Sequence, residues 1–465
     1  MALSGTAFAK WMQEMNIVTN QAGRRWVVVA RLTCSVALAA TLSLGLATSP
    51  ASAQVEGETL ARSVEIAKAL IARGRAAEAQ ALLQDLAVRD PRNNDIDFLL
   101  GLLAIQSGDY DRAVRHFRAI LVRDPGAVRV RLELARAFYL DHDYDNAYRQ
   151  FQFARAGTSP PGVAASIDRY LAAIRLEKNW SYDVSIALAP DTNINNATSA
   201  REATLFGLPF QLDDSARRKS GVGLAVGGAA EFAPQIGSRL RLRLGASGQR
   251  REYGGKAFDD TVVALHAGPR LILPRWDVSP VATVFRRWYG GRLVNEGIGA
   301  RVEGTHQLDG RTAVTAGVSG QHIRFPHSPG QTGAAFASWG GVVRALAPAS
   351  SVTARVGLGR QEARADAQAN WSGSAGVGYY RDLSGGFSIY IEPSLSFARY
   401  DAADPLFRRH RRDFGQELQV ALLNRRIVLS RFTPRIAYTF TRRRSTIDLF
   451  QFSQSRVEVG LTSRF

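Results

Sequence analysis

From Trp180 to its last residue, this 465-residue chain alternates apolar with polar or small side chains. The pattern is plain at Tyr182, Val184, Ile186 and Leu188, which are separated by Asp183 and small residues. A period of two is typical of β-strands that present one apolar and one polar face. Soluble sandwiches alternate in the same way, so alternation alone does not separate them from a membrane barrel.

The spacing of turn-forming residues favours the barrel. Six short turn clusters recur about every 40 residues, which leaves room for two strands and one longer loop between neighbouring clusters. Strands of about 10 residues, with tight turns on one side and long loops on the other, are typical of outer-membrane barrels. Six turns and both ends of the segment therefore predict fourteen antiparallel strands, with both ends on the periplasmic side. The predicted turns are 234–237, 274–276, 309–310, 347–350, 384–386 and 424–426, and the longer loops include 191–219, 325–331, 401–410 and 442–453.

The end of the chain carries a second barrel signal. Val457, Val459, Leu461 and Phe465 fall on one face of the last predicted strand, and the phenylalanine is terminal. An amphipathic last strand that ends in an aromatic residue resembles the signal by which outer-membrane barrels are recognised for insertion. We therefore expect the barrel-assembly machinery to be a partner of this chain.

Composition is compatible with a barrel once the strands are recognised. The chain has 59 Lys and Arg against 41 Asp and Glu, a net charge of +18, which first suggests nucleic acid. In a barrel, Arg239, Arg241 and Arg243 alternate towards the lumen, and the arginines at 408–412 and 442–444 flank loops close to lipopolysaccharide phosphates. A mean hydropathy of −0.12 excludes a polytopic helical membrane protein but is the average that alternating strands produce. We therefore expect outer-membrane lipid and lipopolysaccharide as partners, and no nucleic acid.

Residues 60–178 repeat with a period of 34. A small or turn-forming residue precedes each second helix, and an alanine follows it at a close helix crossing, as in tetratricopeptide repeats. Such solenoids hold peptides or proteins on a concave face, although an array that only supports the next domain has the same pattern. Arg118, Arg123, Arg129, Arg131 and Arg136 indicate a solvated basic face or a site for an acidic client. The repeat-turn positions are Gly74, Gly108 and His142, and the crossing alanines are Ala79, Ala113 and Ala147.

The first 53 residues predict a secretory signal peptide. Arg24 and Arg25 precede a short apolar run, and a small-residue cleavage site, 51–53, follows it. An N-terminal anchor helix is the alternative, and Met15 is a possible true start. Cleavage would remove the one cysteine, Cys34, as expected for an exported protein. The predicted domains are a signal peptide at 1–53, a periplasmic repeat domain at 54–179 and an outer-membrane barrel at 180–465.

Two segments resemble the surface lipoprotein assembly modulator (Slam) family. One is Ala-Pro-Asp-Thr-Asn-Ile-Asn-Asn at 189–196, which contains Asp191, Asn193 and Asn195, and the other is the last predicted hairpin, 433–465. The resemblance covers essentially all of the mature chain. It implies an outer-membrane translocator that moves client proteins, usually surface lipoproteins, from the periplasm to the cell surface.

Other sites and functions are weaker. The spacing of Asp191, Asn193 and Asn195 mimics a calcium loop, but position six is Asn196 instead of glycine, so hydrogen bonds within a turn are the better interpretation.

The sequence has no nucleophile, phosphate-binding or dinucleotide motif, so we expect neither an enzyme nor a cofactor. We expect a monomer that binds a surface lipoprotein or secreted client. The alternatives are a polysaccharide export porin with a periplasmic repeat domain and a structural adhesin.

Overall fold

The computed structural model describes residues 50–205, 208–427 and 432–463. Within these residues, seven helices precede a closed antiparallel barrel of fourteen strands, which confirms the predicted fold class. Residues 1–49 of the predicted signal peptide lie outside the described part of the chain, and residues 50–53 begin the first helix. No helix of the described residues has the length and apolar character needed to cross a bilayer. The helices are α1 Pro50–Ala72, α2 Ala76–Arg89, α3 Asn94–Gln106, α4 Tyr110–Arg123, α5 Val128–Leu140, α6 Tyr144–Arg155 and α7 Pro161–Glu177.

One compact unit of the described residues ends at Ile120, and the other begins at Leu121. In the first unit, Leu83, Ile96 and Leu100 belong to an apolar core formed by α1, α2 and α3. Helices α3 and α4 cross closely at Gly101, where an added Cβ would lie only 2.6 Å from the ring of Phe117. This crossing leaves no room for a larger side chain at the contact.

The positions that repeat in the sequence occupy equivalent places in the structure. Gly74, Gly108 and His142 each adopt a positive φ between successive helices, at 73°, 78° and 59°. Histidine tolerates this left-handed region better than most residues with a Cβ, which accounts for its place at the third turn. The alanines five residues after these positions are fully buried, at 0% exposure: Ala79, Ala113 and Ala147.

The second unit contains α5, α6, α7 and the barrel. Strand β1 pairs with β4 on one side and with the last strand, β16, on the other, which closes the barrel. Helices end at Glu177 and strands begin at Trp180, so two residues join α7 to β1. The barrel strands are β1 Trp180–Asp191, β4 Gly221–Phe232, β5 Leu240–Tyr253, β6 Asp260–Ile272, β7 Trp276–Tyr289, β8 Arg292–Gln307, β9 Thr312–Arg324, β10 Gly333–Ala347, β11 Ser350–Gln361, β12 Asn370–Asp382, β13 Phe387–Asp404, β14 Arg409–Asn424, β15 Thr433–Ser445 and β16 Phe452–Thr462, and a separate hairpin joins β2 Glu202–Leu205 to β3 Leu208–Gln211.

All six predicted short turns join strands at one end of the barrel, which is called the turn end below. The opposite end is the loop end, and its connections differ from the prediction at three places. In one of them, the predicted loop 442–453, residues 442–445 belong to β15 and 452–453 to β16. Strands β7 and β8 are joined at the loop end by only Gly290 and Gly291, whose φ values of 57° and 77° suit a two-residue hairpin turn. The predicted loop 401–410 is mostly strand, because β13 continues to Asp404 and β14 begins at Arg409.

In three pairs of neighbouring strands, some residue pairs are missing from the ladder, and the register is the same on both sides of the gap. At least one proline lies in each gap. Pro190 lies in the gap between β1 and β16, and Pro393 in the gap between β12 and β13. Pro269 and Pro280 face each other in the gap between β6 and β7. Proline has no backbone N–H, so it removes a ladder hydrogen bond at each place.

The two faces of the barrel differ in chemistry. Outward side chains are apolar and exposed, as for Leu188 at 58%, Val356 at 61% and Leu395 at 51%. Inward side chains include Arg241 and Arg243, which are only 3% and 5% exposed. Arg239, predicted to alternate with them, instead lies exposed in the turn before β5. An apolar exterior around a polar interior is the arrangement of a transmembrane barrel.

Candidate functional site

A buried ion pair joins the repeat helices to the turn end of the barrel. The side chain of Arg131 in α5 is fully buried, and its Nη2 donates a hydrogen bond of 2.6 Å to Oδ2 of Asp382 at the end of β12. The remaining guanidinium donors bond to Pro125 O at 2.9 and 3.2 Å and to Gln150 Oε1 at 2.7 Å. The sequence placed Arg131 on a solvated basic face or in a site for an acidic client, and its full burial makes both predictions wrong for this residue.

Asp382 collects donors from both domains. Tyr380 donates to its Oδ1 at 2.6 Å and Ser388 at 2.8 Å, and Arg425 lies 3.3 Å from its Oδ2. A buried carboxylate is tolerated only when charges and hydrogen bonds compensate its lost hydration. This set of donors therefore fixes α5 against the turn between β12 and β13.

Aromatic packing surrounds this ion pair. The Phe153 ring of α6 stacks on the Tyr380 ring of β12 at a centroid distance of 5.8 Å and an interplanar angle of 18°. The Arg131 guanidinium carbon lies 5.2 Å from the centroid of the Phe153 ring. Phe153 also packs with Ala156 and Ala345 in one buried apolar cluster. The contact thus combines a charge pair with the burial of apolar surface.

The same helices touch three further turns. Arg311, after the turn between β8 and β9, donates from Nε to Arg155 O at 2.9 Å. Arg175 Nη2 donates to Pro274 O, between β6 and β7, at 2.5 Å. A Cβ on Gly157 would lie 3.1 Å from Pro348 Cγ, between β10 and β11. Helices α5 to α7 therefore lie against turns around most of the turn end.

The short link between α7 and β1 is also held in place. Tyr139 and Tyr144 donate hydrogen bonds to the Glu177 carboxylate, at 2.8 and 3.3 Å to Oε2. Burial and this carboxylate together raise the pKa of Tyr139 to about 12. Arg241 of β5 bonds to Asn179 and, at 3.3 Å, to Lys178 O. Both ends of the two-residue link are thereby fixed.

Ion pairs line the lumen near the turn end. Arg243 of β5 pairs with Glu231 of β4 at 2.7 Å and also with Glu303 of β8. On the neighbouring strands, Arg270 pairs with Asp277 at 2.5 Å. Carboxylates therefore compensate the charges of these lumen arginines locally.

The predicted family motif fastens the first loop to the last strand. Asn193 is fully buried, and its Nδ2 donates to Ala197 O at 2.8 Å and to Ser453 O at 3.1 Å. Asp191 accepts from Asn193 N at 2.7 Å through Oδ1 and from Gln454 Nε2 at 2.8 Å through Oδ2. These bonds join β1 to the start of β16 at the loop end.

Asn195 makes a different connection. Its Nδ2 donates to Arg217 O at 2.7 Å, and its Oδ1 accepts from Lys219 N at 3.0 Å, just before β4. Asn196, next to it, has a φ of 49°. The amide groups of the motif are thus engaged in turn hydrogen bonds. Within residues 50–205, 208–427 and 432–463, no group of three or more His, Cys, Asp and Glu side chains forms a metal-binding cluster.

The pairing of β1 with β16, called the seam below, is shorter than the pairing of β1 with β4. All residues of β1 pair with β4, but only Ser185–Leu188 and Asp191 pair with β16. Gly460 approaches β1 so closely that a Cβ there would lie 1.9 Å from Ile186 O. The motif bonds lie at the loop end of this seam. The predicted assembly-signal residues Val457, Val459 and Leu461 lie on β16, with Val459 50% exposed, and Phe465 lies outside the described residues.

Comparison with known families gives two matches. The profile described as "Surface lipoprotein assembly modifier" matches residues 180–465, which include the whole barrel. A tetratricopeptide repeat profile matches residues 64–127 and 98–160.

Individual relatives carry the same description. "Surface lipoprotein assembly modifier 1" of Neisseria meningitidis is 26% identical over 203 residues, covering 43% of this chain and 40% of the relative. "Surface lipoprotein assembly modifier 2" of Haemophilus influenzae is 23% identical over 219 residues, covering 46% of this chain and 44% of the relative. The chain thus matches less than half the length of these two relatives. A longer match, to "Surface lipoprotein assembly modifier 1" of Haemophilus influenzae, is 18% identical and covers 77% of this chain and 75% of the relative.

Solved structures match each part at low scores. The type III secretion translocator chaperone SycD of Yersinia enterocolitica is 20% identical, covers 28% of this chain and 95% of that chain, and has a TM-score of 0.26. The toluene transporter TodX of P. putida is 10% identical, covers 67% of this chain and 94% of that chain, and has a TM-score of 0.34.

Replacing Arg131 with methionine tests the ion pair at the turn end. We expect Arg131→Met to destabilise the docking of α5 and α6 by about 3 kcal/mol, because it leaves the buried Asp382 with fewer compensating donors. Hydrogen exchange of α5 and α6 amides in the detergent-solubilised protein should rise accordingly. The matched control is Arg136→Met, whose side chain is 49% exposed and should change little. Equal exchange in both variants would contradict the assignment.

Two asparagine variants test the motif. We expect Asn193→Ala to raise amide exchange at Ser453–Ser455, because it removes hydrogen bonds that hold the start of β16 and costs about 1–3 kcal/mol. Asn195→Ala should instead raise exchange at 217–219, where its own partners lie. The same exchange pattern in both variants would show that the motif does not act on the seam through Asn193.

Proposed function

The chain belongs to the surface lipoprotein assembly modifier family, and we propose that it is an outer-membrane translocator that delivers client proteins to the cell surface. The clients are surface lipoproteins above all. The observation that carries this proposal is the family match over the complete barrel, which follows a tetratricopeptide match at 64–160 and is joined to the last helix, α7, by two residues. Such arrays bind peptides and proteins, and a barrel spans the membrane. The proposed activity requires no catalytic group.

The proposed orientation places the repeat helices in the periplasm and the loop end outside. Barrels of this class have short periplasmic turns and longer extracellular loops, and α5 to α7 lie at the turn end. Within this proposal the chain acts as a monomer, is inserted by the barrel-assembly machinery, and contacts lipopolysaccharide at its loop end. The repeat helices would receive a client on the side from which it arrives.

Transport in this location needs a driving force other than nucleotide hydrolysis, because ATP is not available at the outer membrane. Folding of the client outside, or its capture there, would make export irreversible. The protein then has only to hold the client and open a route. To open a route, α5 to α7 would have to move away from the turn end and the ion pairs in the lumen would have to break. One of these pairs, Arg243 with Glu303, links β5 to β8.

A polysaccharide export porin remains the competing function. It would use an open lumen lined by unpaired cationic groups to conduct an anionic polymer. The pairing of Arg243 and Arg270 with carboxylates reduces the positive potential available for that task. The translocator is therefore the function that we favour.

The first test is surface display. We expect co-expression of this chain with a lipoprotein encoded beside its gene to raise antibody binding to intact cells several-fold over the lipoprotein alone. Deleting residues 64–177 should remove most of this gain, because the proposed client-binding array is lost. A porin would still conduct ions after that deletion. Equal display with and without the full chain would refute the translocator.

A second test asks where the client leaves. We propose exit at the seam, because its ladder is the shorter of the two that β1 makes. A disulfide between Ser185→Cys and Thr462→Cys, which lie opposite each other, should reduce display, and a reductant should restore it. Linking Ser185→Cys to Gly227→Cys on β4 is the matched control and should leave display unchanged. Normal display by both oxidised variants would instead indicate exit through the lumen.

A further inference from the structure

Four arginines lie on the outer wall of the barrel close to the loop end. They occupy adjacent strands β13, β14 and β15, and each has an exposed side chain. Along these strands they share the outward face with apolar residues such as Phe397, 51% exposed, and Phe414, 41% exposed. The four residues, called the outer arginine cluster below, are Arg399, Arg412, Arg442 and Arg444.

The register brings these charges together. Arg399 of β13 is directly opposite Arg412 of β14. On β15, Arg444 is opposite Phe414, two positions from Arg412, and Arg442 is opposite Gln416, four positions from Arg412. Opposed like charges destabilise a strand pair, and a guanidinium does not lose its proton at physiological pH. The cluster is therefore expected to require an anion.

No carboxylate among the described residues forms an ion pair with these four arginines. The nearest candidate on the outer face, Asp401, is engaged by Arg360 at 2.7 Å. Asp413 is also committed, because Arg411 pairs with it at 2.6 Å on the inner face. Asp401 is shared between Arg360 and Arg399, so the described residues supply less negative charge than the four arginines carry.

The opposite wall is built differently. Arg250 of β5 pairs with Glu252 at 3.1 Å and with Asp259 at 3.3 Å. Arg286 and Arg324 share Glu296, at 3.0 and 3.5 Å. Outward arginines at the loop end thus form ion pairs on β5 to β9, whereas the four on β13 to β15 form none with the described residues, and only Arg399 has a carboxylate, Asp401, close enough to act on it electrostatically. Because the outward arginines lack ion pairs on one side of the loop end only, we interpret the outer arginine cluster as a binding surface.

The level of the cluster along the barrel identifies its surroundings. Trp371 of β12 is 56% exposed and lies opposite Arg399 in the ladder. Outward aromatic residues form girdles at the membrane interface of such barrels, where headgroups begin. The guanidinium groups therefore lie at headgroup level, beside the apolar band formed by Phe397 and Phe414.

We propose that the outer arginine cluster binds the phosphate groups of the glycolipid of the outer leaflet, lipid A. Arginine binds phosphate through paired N–H donors, and the apolar residues beside the cluster suit the acyl chains of the same molecule. The choice of the outer leaflet rests on the proposed orientation of the barrel. Lipid bound there would lie on β13 to β15.

The test uses the full chain in nanodiscs that contain lipid A. We expect native mass spectrometry to show several-fold less retained lipid A for the variant Arg399→Gln, Arg412→Gln, Arg442→Gln, Arg444→Gln than for the unmodified protein. The matched control, Arg250→Gln, Arg286→Gln, Arg324→Gln, should retain lipid A normally. Dephosphorylated lipid A should be lost from the unmodified protein. Heat-modifiable electrophoretic mobility verifies that every variant remains a folded barrel.

Two results would overturn the proposal. One is equal retention of lipid A by the unmodified protein and the cluster variant. The other is retention of phosphatidylglycerol with the same dependence on the four arginines, which would make the ligand a phospholipid. Orientation is tested separately by labelling Asp366→Cys, in an exposed connection at the loop end, with an impermeant maleimide on intact cells. Failure of that labelling would count against the proposed orientation, whereas the nanodisc result tests the cluster itself.

Discussion

The structure depends on one requirement: a backbone in hydrocarbon must find all its hydrogen-bond partners within the protein. A sheet meets this requirement only when it closes, and here closure depends on β1, which pairs with β4 and with the last strand. Once the sheet is closed, its outward side chains face lipid and its inward side chains face one another. The exposed Leu188 and the buried Arg243 are two results of the same alternation. Both ends of the barrel segment then lie at the turn end, where the helices are attached.

The helices and the barrel act on each other through a small and well-defined contact. Arg131, Phe153 and Glu177 belong to helices, yet each helps to position groups at or beside the barrel. A flexible linker would let a repeat array search a wide volume, whereas the two residues between α7 and β1 fix its last helix. For a protein proposed to pass clients through or along a barrel, this geometry keeps α5 to α7 at the turn end.

Local patterns predicted the strands, the short turns and the helical repeats, because alternation, turn residues and a fixed period are properties of neighbouring residues. The buried Arg131 was missed because its partner, Asp382, lies 251 residues away and nothing in the local sequence marks the pair. Gly290 and Gly291 permit a two-residue turn, but the sequence alone did not show that one loop-end connection would be so short. The motif at Asp191 and Asn193 was recognised, whereas its bonds to β16 depend on closure of the barrel.

The ion pair between Arg131 and Asp382 has a consequence for the order of biogenesis. Asp382 ends β12, and its second arginine, Arg425, follows β14, so the complete acceptor site for α5 exists only after most strands have been laid down. The helices are synthesised first but cannot dock until a late part of the sheet is in place. Docked α5 therefore requires a barrel in which β12 to β14 have already formed. In a barrel without β12 to β14, α5 would lack this acceptor, so its docking follows the formation of those strands.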